Sequence, residues 1–460
     1  MVGRARLPGE GGGLPGRPGI IAARPGGRRK LRRILARLSR LPDLERRPSG
    51  RRPPGLEGIL GLLEALGRPQ EGLPLVHLAG SKGKGTTALF LEALFLADGL
   101  RTGVYLSPHL SGLEERFRLD GSPLDPDRAA ELLDRAAAAL PASPEATFFD
   151  LLTAAAFLLF REARVEAACL ETGLGGRLDS TNAARPRVTV VTGVEREHED
   201  VLGRGLERVA REKAGILEPG VPLVTGCRRR ALAVLEERAR SLGAPAAVLG
   251  RDFRLRRWEK REEGWKVELE LLGGGRRVFQ TGRLPLPQLW SLALAAQAFA
   301  FFRGKDPEER ILEAAGRAVL PGRFEILRGR GLTWVLDGAH TARSLARLAR
   351  DMETWFPRRP WSLLFGVAPD KRWLRAFRLL SSRAVRTWVV DLPGKRRVPA
   401  ERLAAAAPGK ARPWLRPRQA LEALAEAAAP GETVLVTGSF RLAGAARTWL
   451  LEEERRGDGG

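Results

Sequence analysis

Lys84 sits in the run "HLAGSKGKGTTALFLEALF" (residues 77–95), surrounded by Gly80, Gly83 and Gly85 and followed by Thr86. Glycines let a backbone turn tightly and approach a ligand closely. The free N–H groups at a helix start attract anions. The preceding "LPLVHLAG" is a short apolar stretch, and "TTALFLEALFLADG" places Leu89, Leu91, Ala93, Leu94 and Leu96 at helical spacings before stopping at Gly99. The segment therefore reads strand, loop, helix, and a polyphosphate fits the loop. The standard phosphate loop is G-x-x-x-x-G-K-[ST], its lysine on the outer phosphates and its hydroxyl on Mg²⁺. Here Gly85 separates Lys84 from Thr86. The competing reading is a Gly-rich connector that binds nothing.

The rare polar residues point to the same region of the fold. The four histidines are His77, His109, His198 and His340, each in or beside an expected strand end or a small-residue loop. In open α/β sheets that edge binds ligands. Asn182 closes the loop "ETGLGGRLDSTN" (residues 171–182), where Glu171 and Asp179 supply carboxylates beside serine and threonine hydroxyls. Such a loop is dense in ligands for a hard cation.

The elements that must position these groups alternate. From Leu73 onward, "RTGVYLS", "VEAACLET", "RVTVVTGV" and "VPLVTG" read as strands, and "TFFDLLTAAAFLLF" reads as a helix. That rhythm predicts an α/β fold built on a parallel sheet. "FRLRRWEKREEGWKVELELLGGGRRVF" breaks it with two-residue alternation around Gly264 and a Gly-rich turn, which predicts a small antiparallel addition. After Gly322 the rhythm restarts with "TWVLDG", "WSLLFGV", "TWVVDL" and "TVLVTGS", a second, smaller Rossmann-like unit. The expected division is a basic, disordered extension over 1–27, a central unit over 28–318 and a C-terminal unit over 319–460. In "LRRILARLSRL", Leu31, Ile34, Leu35, Leu38 and Leu41 form one helical face that packs on its own domain.

Composition narrows the class. A 460-residue chain with 43% hydrophobic residues buries a large core and exceeds one typical domain. Cys169 and Cys227 cannot build a disulfide framework, and no apolar run approaches the roughly 20 residues of a membrane span. A cytoplasmic protein, monomeric and without a membrane partner, is expected. The net charge of +24 is spread along the chain, mostly as arginine, with no aromatic-interleaved patch, which argues against nucleic acid as partner. Anionic substrates are still attracted.

Taken together, "HLAGSKGKGTT", "GVYLSPHL", "ETGLGGRLDSTN", "EHEDVLG", "REKAGI", "PGRFE", "DGAHT" and "VTGSF" occur in an order and spacing that resembles the folylpolyglutamate synthase and dihydrofolate synthase family of the Mur ligase superfamily. The resemblance runs from about Leu31 to Arg447. The loop matches that superfamily's own form, G-[TS]-x-G-K-G-[ST], so Gly85 is no lesion. The resemblance implies an ATP-dependent ligase that phosphorylates a carboxylate and joins it to L-glutamate, with dihydropteroate or a reduced folate as the acceptor. It implies that Gly80, Gly83, Lys84, Gly85 and Thr86 hold the ATP phosphates, and that Ser107, Glu171 and His198 ligate Mg²⁺. It further implies that Lys213 is carbamylated and serves a second Mg²⁺, with Lys84, Lys213 and His198 at the reacting centre. Arg323 would reach the phosphates, Asp337 the ribose, Gln288 the nucleotide, His340 and Ser439 the glutamate or nucleotide, and Asp179 the pterin. In "LERVAREKAGI", Val209, Ala210 and Lys213 share a helical face, which directs the lysine inward.

The chain departs from the family pattern in places. Glu197-His198 stands where Asp-His is usual, Phe149-Asp150 where Phe-Glu is usual, and "PQLWS" (287–291) where His-Gln-x-x-Asn is usual. "DGAHT" lacks the usual Asn-Pro after the histidine. Two other classes compete: a P-loop GTPase or regulatory ATPase, which should show an uninterrupted Lys-Ser/Thr pair and a base-reading motif, and a nucleic-acid binder, which leaves the 171–182 loop idle. Within the superfamily the alternative is a Mur-type amino-acid ligase acting on another carboxylate.

Overall fold

The computed structural model describes residues 27–42, 55–357, 361–369, 373–392, 397–414 and 416–457. Residues 1–26, which hold nearly all of the extension expected to be disordered, lie outside that set. Gly27 opens the helix Gly27–Leu38, whose Leu31, Ile34 and Leu38 are buried against the first domain, as the one-sided pattern requires.

Three sheets form. The first holds eight strands: β1 (Leu75–Ala79), β2 (Thr102–Tyr105), β3 (Phe117–Leu119), β4 (Ser122–Pro123), β5 (Ala167–Glu171), β6 (Val188–Val191), β7 (Leu223–Thr225) and β8 (Ala246–Val248). Their order is β4-β3-β2-β5-β1-β6-β7-β8, with β3 and β4 antiparallel at one edge and the rest parallel. Parallel strands covered on both faces read as continuous apolar runs, and β1, β2, β5, β6 and β7 are buried at every position. From β1 the chain moves to β2 on one side and, after β5, to β6, β7 and β8 on the other. The direction of winding thus reverses at β1, where α/β sheets open a crevice beyond their carboxyl ends.

The helix Lys84–Ala97 follows β1 and is buried nearly all round, including Ala88, Leu89, Phe90, Leu91, Leu94 and Phe95. It lies against the apolar helix Leu286–Arg303, with Phe95 packed on Phe299 and Phe302. The helix Phe148–Glu162 starts with a reciprocal cap between Thr147 and Asp150.

The predicted antiparallel addition is a three-stranded sheet, β9 (Arg254–Lys260), β10 (Trp265–Glu270) and β11 (Arg276–Gln280), in the order β11-β10-β9. Leu255, Trp265, Val267, Leu269 and Phe279 face inward, and the residues between them face solvent, which accounts for the alternation.

The last sheet orders its six strands β12-β13-β17-β14-β15-β16, from β12 (Arg323–Gly329), β13 (Leu332–Asp337), β14 (Trp361–Phe365), β15 (Thr387–Val390), β16 (Ala411–Trp414) and β17 (Thr433–Thr437). β12 is antiparallel to β13 and the others run parallel. Sequence patterning did not single out β12 or β16 as strands. β16 reads Ala-Arg-Pro-Trp and is half exposed at the sheet edge, so it lacks the apolar signature of its neighbours.

The C-terminal unit is tied to the rest of the chain by specific contacts. Trp265 and Trp355 meet edge to face at 5.1 Å, and both donate their indole N–H to the Leu284 carbonyl. The Ser111 hydroxyl donates to the Gly444 carbonyl at 3.1 Å, and Arg343 pairs with Glu195 at 2.8 Å. Among the described residues no helix is long and apolar enough to cross a membrane.

Candidate functional site

The loop after β1 is built as its glycines predict. Gly83 has φ +86° and immediately precedes the helix, a left-handed conformation that favours glycine. The loop is tied to the segment after β6: Ser81 N donates to the Gly193 carbonyl, Glu195 N donates to Ser81 Oγ, and Thr192 Oγ1 donates to the Lys82 carbonyl at 2.6 Å. Ser81 and Thr192 are thus structural residues of the site that pattern reading missed, since single hydroxyls carry no spacing signal.

Lys84 Nζ donates back to the Gly80 carbonyl at 2.9 Å and lies 3.9 Å from Glu171 Oε1. Glu171 ends β5 and is buried; its Oε2 accepts from the Ser107 amide at 3.1 Å. Burial raises its pKa, opposed by the charges of Lys84 and Arg323. Arg323 arrives from β12 of the last sheet and lies over the start of the helix Lys84–Ala97. A Cβ at Gly85 would stand 2.7 Å from Arg323 Nη2 and 3.0 Å from Glu171 Oε2. Gly85 is therefore the slot through which an arginine of the second large sheet reaches the phosphate loop.

Other predicted residues gather around Arg323. Gln288 donates its side-chain amide to the Arg323 carbonyl at 2.7 Å, which holds the start of β12 against the helix Leu286–Arg303. The guanidinium carbon lies 5.7 Å from the ring centre of Phe440, and the His340 ring lies 6.1 Å from the same ring. Ser439 precedes Phe440, and its hydroxyl accepts from Arg441 N. His340 Nδ1 is 2.8 Å from the Gly338 carbonyl. Asp337 accepts from Phe324 N and Ala339 N, both at 2.8 Å, and burial pushes its carboxyl up to about 6. Asp337 does not cap the next helix: Thr341 caps Ala342–Trp355.

On the opposite side, Lys213 is buried at the inner face of the helix Leu206–Ala214 with Val209 and Ala210. It pairs with Glu197 at 3.2 Å. Pairing with Glu212 or Glu218 along its own helix, the alternative for an ordinary surface lysine, does not occur; Glu212 pairs with Arg177. Burial lowers the Lys213 pKa, and the charge of Lys84 lowers it further. His198, next to Glu197, has a left-handed backbone (φ +50°) and is exposed. Thr86 is buried in the first helical turn.

Asp179 has a different setting. Its Oδ2 accepts from Leu174 N at 2.8 Å, and its Oδ1 accepts from Thr181 N at 3.1 Å and from the Thr181 hydroxyl at 2.5 Å. Since Thr181 spends its proton there, it accepts from His77 Nε2 at 2.8 Å. Burial raises the Asp179 carboxyl to about 6 and lowers His77 to about 3, so the imidazole is neutral. Asp179 is thereby the keystone of the loop after β5. His77 corrects the expectation that all four histidines lie at the ligand edge: it is central in β1 and wholly enclosed.

Among the described residues no three His, Cys, Asp or Glu side chains form a metal cage. Of the residues that the resemblance assigns to Mg²⁺, Glu171 is a buried carboxylate beside the phosphate loop that accepts from the Ser107 amide, and Mg²⁺ commonly keeps several waters and takes one or two carboxylates plus substrate phosphates.

Comparison with known proteins places these features in context. Residues 322–440 match the Mur ligase, glutamate ligase domain. The chain is 30% identical over 410 residues to the folylpolyglutamate synthase of Lacticaseibacillus casei, covering 85% of this chain and 94% of that one. It is 35% identical over 335 residues to the probable bifunctional folylpolyglutamate synthase/dihydropteroate synthase of Haloferax volcanii, covering 69% of this chain but only 38% of that longer protein. A Mycobacterium tuberculosis folylpolyglutamate synthase solved with ADP and AMPPCP superposes with a TM-score of 0.80 at 28% identity, covering 92% of this chain and 99% of the other.

Proposed function

Because this chain belongs to the folylpolyglutamate synthase and dihydrofolate synthase family, we propose that it is an ATP-dependent ligase forming an amide between L-glutamate and the carboxylate of dihydropteroate or a reduced folate. The observation that carries the reading is the meeting of Lys84, Glu171 and Arg323, from both large sheets, at the N-terminus of one helix.

A carboxylate is a poor electrophile because its leaving group would be oxide. In the proposed reaction an acceptor carboxylate oxygen attacks the γ-phosphorus of ATP and ADP leaves. The amine of glutamate then attacks the acyl carbon, phosphate departs with the bonding pair, and the ammonium proton passes to solvent. The loop N–H groups and Lys84 hold the phosphates, and Arg323 offsets charge that builds up in transfer. Gln288 and Asp337 hold the carbonyl and the N–H of the one peptide group that joins Arg323 to Phe324, and so aim the arginine. Asp337 is the candidate for the ribose, His340 and Ser439 for the glutamate or nucleotide, and the Asp179 loop for the pterin side. Ser107, Glu171 and His198 would hold Mg²⁺, which supplies charge neutralisation on the phosphates. Lys213, desolvated and acted on by the charge of Lys84, has the raised neutral-amine fraction that lets an amine take up CO₂ as a carbamate, releasing one proton. That anion is suited to a second Mg²⁺.

The test is ADP release with dihydropteroate or tetrahydrofolate offered in turn with L-glutamate. Release that needs both glutamate and one of these acceptors supports the reading. Release with neither, but with another carboxylate, would move the protein to a Mur-type ligase of different acceptor.

A further inference from the structure

Beside the reacting centre, the segment that carries Glu197 and His198 continues into a cavity of about 490 Å³ lined by Arg196, Glu199, Asp200, Arg204 and Gly205. Two features set it apart. First, arginines over most of this surface pair with carboxylates, as Arg177 does with Glu212 and Arg343 with Glu195. Among the described residues no ion pair engages Arg196 or Arg204, although two carboxylates line the same cavity. Second, Glu199 is committed to shaping the wall, since its Oε1 accepts from Gly205 N at 2.8 Å. That leaves two guanidinium groups and one carboxylate, Asp200, facing the space.

We propose that this cavity is a subsite for the γ-glutamyl chain already attached to the acceptor, an inference that rests on the ligase reading above. Only the terminal γ-carboxylate of such a chain can occupy the phosphate centre, so earlier glutamyl units must lie along an adjoining surface. Each unit presents one free α-carboxylate, which suits a guanidinium fork, and one amide N–H, which suits a carboxylate acceptor. Arg196 and Glu199 flank Glu197 and His198 in the chain, and Glu197 pairs with Lys213, so the cavity adjoins the segment that the ligase reading places at the centre.

The experiment compares wild type with the double variant Arg196→Ala/Arg204→Ala. With ATP and glutamate saturating, mono-γ-glutamyl and tri-γ-glutamyl tetrahydrofolate are the acceptors. The ratio of KM for the longer to KM for the shorter acceptor should rise about tenfold in the variant, equivalent to about 1.4 kcal/mol, with kcat much less affected. In parallel, free tetra-γ-glutamate without a pterin is titrated calorimetrically, and the variant should bind it at least tenfold more weakly. An unchanged KM ratio, or equal binding of the peptide by both proteins, overturns the subsite. Should the wild type ligate neither acceptor, the ligase reading fails, and the peptide titration still decides whether the cavity takes a γ-glutamyl chain.

Discussion

Replacing Lys213 with methionine should leave the fold as stable as before, or more so, while removing most ligation. Lys213 has 3% of its side chain exposed and Glu197 has 22%. The more desolvated member of the pair is therefore the lysine, and the carboxylate left behind still touches water. Losing one partner of a fully buried pair costs about 3 to 5 kcal/mol because the charge left behind is uncompensated, whereas replacing the whole pair by apolar residues is often neutral or stabilising. Lys213→Met belongs near the second case, with an expected change within about 1 kcal/mol. Lys213→Ala differs, because it deletes three methylenes beyond Cβ at about 0.8 kcal/mol each, a loss of about 2.4 kcal/mol before any cavity term. The sign with pH follows from the lowered pKa. Between the folded value and the ordinary 10.5 the unfolded chain binds more protons, so wild type gains stability relative to Lys213→Met as pH rises through the folded value. Urea unfolding of the three proteins from pH 6 to 10, with phosphate release under each condition, measures both quantities. Turnover should fall about 100-fold or more in both variants, as for loss of an electrostatic group in the centre. A methionine variant as unstable as the alanine one would refute the desolvation argument, and one with wild-type turnover would remove Lys213 from the centre. Wild type assayed in buffer stripped of CO₂ tests the carbamate separately: activity that falls and returns on adding bicarbonate supports it, and unchanged activity rejects it.

Lys84→Ala should lower ligation by about 3 kcal/mol in transition-state stabilisation with the fold retained, since the change removes a cation from the phosphates rather than core volume; undiminished turnover would sink the phosphate-loop reading. Thr181→Val cuts the chain from His77 to Asp179 and should cost about 1 to 3 kcal/mol in urea unfolding, with Thr181→Ser restoring most of it. Asp337→Ala should chiefly raise the KM for ATP and Asp179→Ala that for the pterin acceptor; equal effects of both variants on one substrate would overturn the division between the two sheets.

The parts of the fold that were legible in the sequence are those where a local rule and the global structure agree. The buried parallel strands announced themselves as apolar runs, and the β9 to β11 sheet as strict alternation, because one face of it is covered. Lys213 could be placed on an inner helical face because Val209 and Ala210 share its periodicity. What could not be read is pairing across distance. Nothing in "PGRFE" indicates that Arg323 lies over Gly85, and nothing around Glu197 marks it as the partner of Lys213 rather than Glu212. His77 misled because a histidine between apolar residues looks the same whether its strand position is at the ligand edge or enclosed. Only the Thr181 hydroxyl, brought in from another loop, shows which it is.

The open space at Gly85 makes the centre a coincidence detector. Lys84 is delivered by the first sheet and Arg323 by the last, and the single negative charge of Glu171 lies between them. An anion arriving there finds two cations only when both sheets are seated, and it satisfies both at once. By reciprocity, whatever the seated arginine adds to the hold on the anion, the anion adds to the seating of the arginine's domain. The glycine that interrupts the usual phosphate-loop spelling is thus where occupancy by ligand and the assembly of the two halves become one equilibrium.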